Sequence, residues 1–138
     1  MSVVKSHREE TELTVITKAN ELIAYTIKIC SNEENFPKRY RWCITSKIVE
    51  SAIDIGNNII KANSIYIRSE DDLAMRRKYQ QEAMSETQVL LNMINIAYNT
   101  FGIKSNRVEY WTQLVVNVQN LLRNWRKSDS NRKFSSEE

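Results

Sequence analysis

The sequence predicts an all-α protein, an antiparallel up-down four-helix bundle, on three observations. Apolar residues recur at alternating steps of three and four in four separate segments. The 138 residues include two glycines and one proline, too little punctuation for the tight turns that a β protein requires. Joints between three of the segments are short, which sets neighbouring helices antiparallel. A chain of this length closes one core, so one domain is expected over residues 11–127, between a flexible N-terminal segment, 1–10, and a disordered polar tail, 128–138.

Helix one is expected over about residues 11–32, where Leu13, Ile16, Asn20, Ile23, Ile27 and Cys30 form the inner line and Leu22 and Ile29 widen it. Asn20 either fixes register in the seam or lies wet at its edge, the commoner arrangement. Helix two is expected over about residues 37–67. Proline fixes φ near the helical value and lacks a backbone donor, so Pro37 suits a first turn and makes Phe36 the boundary residue, placed to clip the incoming chain as a hydrophobic staple. Ile48, Ala52, Ile55, Ile59, Ala62 and Tyr66 form its inner line, and Val49, Ile53, Gly56 and Ile60 an adjacent stripe. Glycine costs about 1 kcal/mol relative to alanine inside a helix, so Gly56 implies close approach of another backbone. Lys47, Asp54, Lys61 and Arg68 mark the solvent face, which also suits an acidic partner.

Ser69 followed by Glu70, Asp71 and Asp72 is a capped start for helix three. Its inner line runs Leu73, Arg76, Gln80, Ala83, Thr87, Leu90, Ile94, Ala97, Phe101, and the apolar second half is the expected core. Gly102 is the expected left-handed cap, with Ile103 covering the end. Ser105 is placed to cap helix four, where Val108, Trp111, Val115, Val118, Leu122 and Trp125, reinforced by Leu114 and Leu121, form the most regular seam.

No apolar run approaches the ~20 residues that span a bilayer, and the polar, charged opening carries no export signal, so no membrane contact and a cytoplasmic location are expected. Cys30 and Cys43 are accordingly read as reduced, packed thiols. His7 is the only histidine. Neither a di-iron Glu-x-x-His set nor a zinc site can be assembled, no Gly-rich phosphate loop is present, and a nucleophile has no base other than His7. No catalytic residue, metal or cofactor is assigned.

Binding chemistry is better represented. The net charge is +3, and its distribution matters more than its sum. Lys38, Arg39 and Arg41 alternate with Tyr40 and Trp42, pairing phosphate-binding cations with rings on which bases stack. Helical geometry turns Trp42 inward in this reading, and the three cations serve either contact or ordinary solvation. Lys47, Lys104, Arg107, Arg123, Arg126 and Lys127 extend the candidate set, although the last three also suit a helix C-terminus electrostatically. Arg76, Arg77 and Lys78 are read mainly as pairing along helix three with Glu82 and Glu86, with partner contact left open.

Three local features carry a family resemblance: Phe36-Pro37-Lys38 with Tyr40, Gly102-Ile103-Lys104-Ser105, and Leu121-Leu122-Arg123-Asn124-Trp125-Arg126-Lys127-Ser128. In this order the chain resembles, over roughly residues 13–128, the accessory variability determinant family of diversity-generating retroelements. That family is itself similar to four-helix proteins encoded within bacterial 23S rRNA intervening sequences. Asn92 and Asn95 stand where family members often carry arginine, and Arg123 and Asn124 replace small residues before the final tryptophan. The resemblance implies a non-enzymatic accessory subunit, a ring-like homopentamer that binds a reverse transcriptase and its template RNA, and DNA as a further ligand, to support mutagenic complementary-DNA synthesis. By position it assigns Lys38 to binding and Trp125 to packing. The alternative is an intervening-sequence-type or other structural interaction module that binds no nucleic acid.

Overall fold

The computed structural model describes the backbone of residues 2–134 and the side chains of residues 10–134. Four helices account for most of it: α1 (Ser2–Ser31), α2 (Ser46–Asn63), α3 (Glu70–Phe101) and α4 (Ser105–Ser130). No strand occurs among the described residues. Helix α1 packs on α2 and α4, and α3 packs on the same two, so one core fills the space between four cylinders. No helix among the described residues is long and apolar enough to cross a membrane.

Helices α3 and α4 keep the expected seams. Arg76, Gln80, Ala83, Thr87, Leu90, Ile94 and Ala97 are all buried, so the polar first half of the α3 line is core as well. The Ser69 hydroxyl accepts from the Asp72 amide, and Gly102 closes α3 at φ 66° with Ile103 buried behind it. Ser105 does not cap α4; its hydroxyl bonds the Tyr98 hydroxyl, and Lys104 occupies the cap position without a side-chain bond.

Helix α1 is turned relative to its expected line. Its buried face is Val15, Ala19, Leu22, Thr26, Ile29 and Cys30, whereas Leu13 is 64% exposed and Ile27 is also exposed. The smaller residues face inward because they admit α4: Trp111 donates from Nε1 to Thr26 Oγ1 at 2.9 Å, which only that face allows. Asn20 lies on the wet side. In α2 the inner line holds from Ile48 to Ala62, but the helix ends at Asn63 and Tyr66 is exposed beside Arg68. The neighbour facing Gly56 is a side chain, not a backbone: a Cβ there would lie 2.6 Å from Ile23 Cδ1.

Both ends of the domain carry more helix than composition suggested. Helix α1 begins at Ser2, since no glycine or proline stops it. Helix α4 continues through Ser130, and the reason is Asp129, which is 2% exposed. Arg76, 4% exposed, donates from Nη1 to Asp129 and to Glu12 at 3.3 Å, and Gln80 Nε2 and Arg132 Nε also donate to Asp129, at 3.0 and 3.1 Å. Arg76 further donates to the carbonyls of Ala62 and Ile65 and lies over the Trp125 ring. One guanidinium thereby joins all four helices. It does not pair with Glu82 or Glu86 as expected, because the inner side of α3 leads it to carboxylates on α1 and α4. Residues 135–138 of the polar tail lie outside the described residues.

Cys30 is buried, and burial pushes its thiol pKa up to about 12, while Cys43 is exposed and not packed as expected. Both are free. Thiolate is the reactive form, so one thiol should react with Ellman's reagent at pH 8 in the native protein and two after denaturation. Two rapid native equivalents would contradict the burial of Cys30.

Candidate nucleic-acid interface

Phe36 is the buried anchor of the first basic cluster, with T-shaped contacts to Phe101 at 5.6 Å and Trp111 at 6.1 Å. Pro37 is extended (ψ 136°), so the chain enters α2 through a 3-10 turn, Lys38–Tyr40, and a π turn, Arg41–Thr45, closed by the Ser46 amide on the Arg41 carbonyl. That wider turn overturns the inward expectation for Trp42, which is 80% exposed. Tyr40 packs on Phe101 at 5.2 Å, and Arg39 lies 5.0 Å over the Tyr40 ring. Lys38, Arg39, Arg41 and Lys47 are exposed, and no described carboxylate forms an ion pair with any of them. Trp42, Ile27 and Val49 line an apolar groove of about 500 Å³ between α1 and α2, with Lys38, Arg41, Glu33 and Glu50 on its walls.

A second basic cluster lies at the far end of α4. Arg123, Arg126 and Lys127 share a concavity of about 410 Å³ with Arg77 of α3 and with Ser130, and none of its walls is acidic. The charges go uncompensated for a local reason. Positions three and four away from Arg77, Arg123 and Lys127 hold no acid, and the one acid so placed for Arg126 is Asp129, which is turned inward to Arg76. Arg123 donates only to Asn120, at 2.9 Å. Sequence reasoning assigned Arg77 to pairing along its helix; the missing acids at helical spacing were the signal that it is free.

Lys104 and Arg107 begin α4, at the same end as the Phe101–Tyr40 contact. Arg107 and Arg126 are nineteen helical steps apart, a rise of roughly 28 Å. The nine candidate cations therefore form two groups at opposite ends of the bundle, not one continuous face. Among the described residues no group of three or more His, Cys, Asp and Glu gathers where a metal ion could be held, and the side chain of His7 lies outside them. Comparison with protein-family profiles, curated proteins and solved structures returns no match for this chain.

Proposed function

We propose that the chain is a non-enzymatic accessory subunit of the accessory variability determinant type, cytoplasmic and homo-oligomeric, that holds a reverse transcriptase and its template RNA, with DNA as a further ligand. The observation that carries this reading is two clusters of cations that form no ion pair with a described carboxylate, the second with no acid on its walls. Each phosphate neutralised contributes about −0.7 to −0.9 to the slope of log affinity against log salt, so two such clusters bind a polyanion, and more so when several copies assemble in a pentameric ring.

The antiparallel up-down order belongs to the same proposal. It is supported by contacts at matched heights: Glu12, early in α1, shares Arg76 with Asp129, late in α4, while Tyr25, late in α1, meets Tyr110, early in α4. Protein docking is supported by exposed apolar side chains: Ile27, Trp42, Ile53 and Ile60 along α1, the π turn and α2, and Leu13 beside Leu121 of α4. Exposed apolar residues alone would also serve a structural interaction module, so salt response is the deciding measurement.

Fluorescence anisotropy with a labelled RNA should show affinity falling steeply between roughly 50 and 200 mM salt. Alanine at Arg77, Arg123, Arg126 and Lys127 together should flatten the slope by about 3, and alanine at Lys38, Arg39 and Arg41 by about 2, without unfolding the bundle. A native protein with no salt-sensitive RNA binding would overturn the proposal in favour of the structural module.

A further inference from the structure

A third concavity, about 260 Å³, lies between the end of α1 and the start of α4 and is lined by Tyr25, Lys28, Ile29, Asn32, Asn35 and Arg107. Three features of it bear on what it can hold. Asn35 is 6% exposed, yet its side-chain amide makes no hydrogen bond with any described residue. Its amide atoms are not sealed off from the pocket, whose wall they help to form, so they are open to a ligand there. Arg107 stands in the first turn of α4, where the helix dipole disfavours a cation, and no described acid pairs with it. The start of α4 lacks a side-chain cap, but the Arg107 amide already bonds the Lys104 carbonyl and the Ser105 and Asn106 amides face solvent, so the guanidinium of Arg107 is what the helix start offers the pocket. An anion in the pocket meets the unpaired Arg107 guanidinium, and a group with a donor next to an acceptor meets the Asn35 amide.

The surrounding chemistry narrows the ligand. The volume is just below the roughly 300–1,000 Å³ of pockets for drug-sized molecules, so the occupant is small. Lys28 is exposed at the last turn of α1 and supplies a second cation. Tyr25 offers a ring and a hydroxyl whose bond to the Arg107 carbonyl is long, 3.5 Å. Burial raises the pKa of that hydroxyl more than Arg107 lowers it, so it remains a donor at neutral pH. Asn32 accepts from the Glu34 amide through Oδ1 and makes no bond through its own NH₂ group. An aromatic face, free amide groups and two cations form the set by which proteins hold an unstacked base and its phosphate.

We propose that this pocket binds a single unstacked nucleotide, with its phosphate toward Arg107 and Lys28 and its base edge on Asn35. The proposal rests on the RNA-binding reading above, extending it from backbone charge to one base. The same nucleotide chemistry is presented by a free ribonucleoside monophosphate and by an unpaired residue of an RNA strand. Isothermal titration of the full chain should use AMP, GMP, CMP, UMP and inorganic phosphate, together with one RNA sequence in single-stranded and duplex form.

At least one monophosphate, or the single strand in preference to the duplex, should bind more tightly than inorganic phosphate. Asn35→Ala should weaken that binding about tenfold with unchanged thermal unfolding, since the amide has no internal partner to lose. Lys28→Ala, at an exposed position, provides a second variant and should weaken it severalfold. Asn35-dependent binding of the strand alone assigns the site to RNA, and such binding of a monophosphate assigns it to the free nucleotide. Salt-sensitive RNA binding that ignores both substitutions, with no monophosphate bound, would overturn the pocket and spare the wider proposal. Asn35-dependent monophosphate binding by a chain that binds no RNA would do the reverse.

Discussion

Replacing Asp129 by alanine should destabilise the protein by about 3–5 kcal/mol, lowering the melting temperature by about 10–20 °C. Removing the carboxylate leaves the Arg76 guanidinium buried, with Glu12, itself partly solvated, as its remaining charged partner. It also strands the Gln80 amide, whose Nε2 donates to Asp129 and whose Oε1 already has no partner. A buried charge without its counterion costs far more than the net value of the pair. Arg76→Met combined with Asp129→Leu removes both charges together and should recover more than half of the loss. Urea unfolding of the single and double variants measures this directly. A loss below about 1 kcal/mol for Asp129→Ala would mean that water reaches this cluster.

The two buried tryptophans should respond unequally to the same substitution. Trp111→Ala is expected to cost about 3–5 kcal/mol, because the ring is fully buried against Tyr25 and Phe36. Its Nε1 donates to Thr26, whose hydroxyl passes its own proton to the Leu22 carbonyl at 2.7 Å, so the indole ends a short chain of bonds. Thr26→Val keeps the shape and leaves the indole proton unpaired, which should cost about 1–3 kcal/mol. Trp125 is also buried, but its Nε1 has no partner among the described residues. Trp125→Phe should therefore lose less than Trp111→Phe in the same denaturation series. Equal losses would show that ring volume, not the Thr26 bond, decides the cost.

How much of this was legible depended on how far away each residue's partner lay. The α3 and α4 seams were readable because one apolar stripe dominates each helix, and the Gly102 cap because its signal is local. Helix α1 offered two stripes, and the heavier isoleucines drew the inner line to the wrong side; the choice was made by Thr26 and Ala19 meeting α4, which no local spacing encodes. Arg76 and Gln80 were placed on the inner line, but their role depended on Asp129, roughly fifty residues on in a stretch whose composition reads as solvated. Among the candidate binding residues, the exposed cations of the turn before α2 were visible from charge alone. Arg77 was legible only by the missing acids around it, and Asn35, an ordinary loop asparagine in the sequence, acquires meaning only from a pocket wall built by two helices.

The π turn at Arg41–Thr45 has a bearing on how this surface tolerates change over generations. A turn closed from residue i to i+5 holds one amino acid more than an α turn, as though a single codon had been inserted into an unbroken helix. Deleting one residue there would let the segment relax into regular helix and swing everything upstream by about 100°. Trp42 and Arg41 would then face elsewhere while the buried side of α2 stayed in place. A one-codon length change would thus reassign this rim only as far as Phe36, anchored in the core just upstream, lets the chain turn.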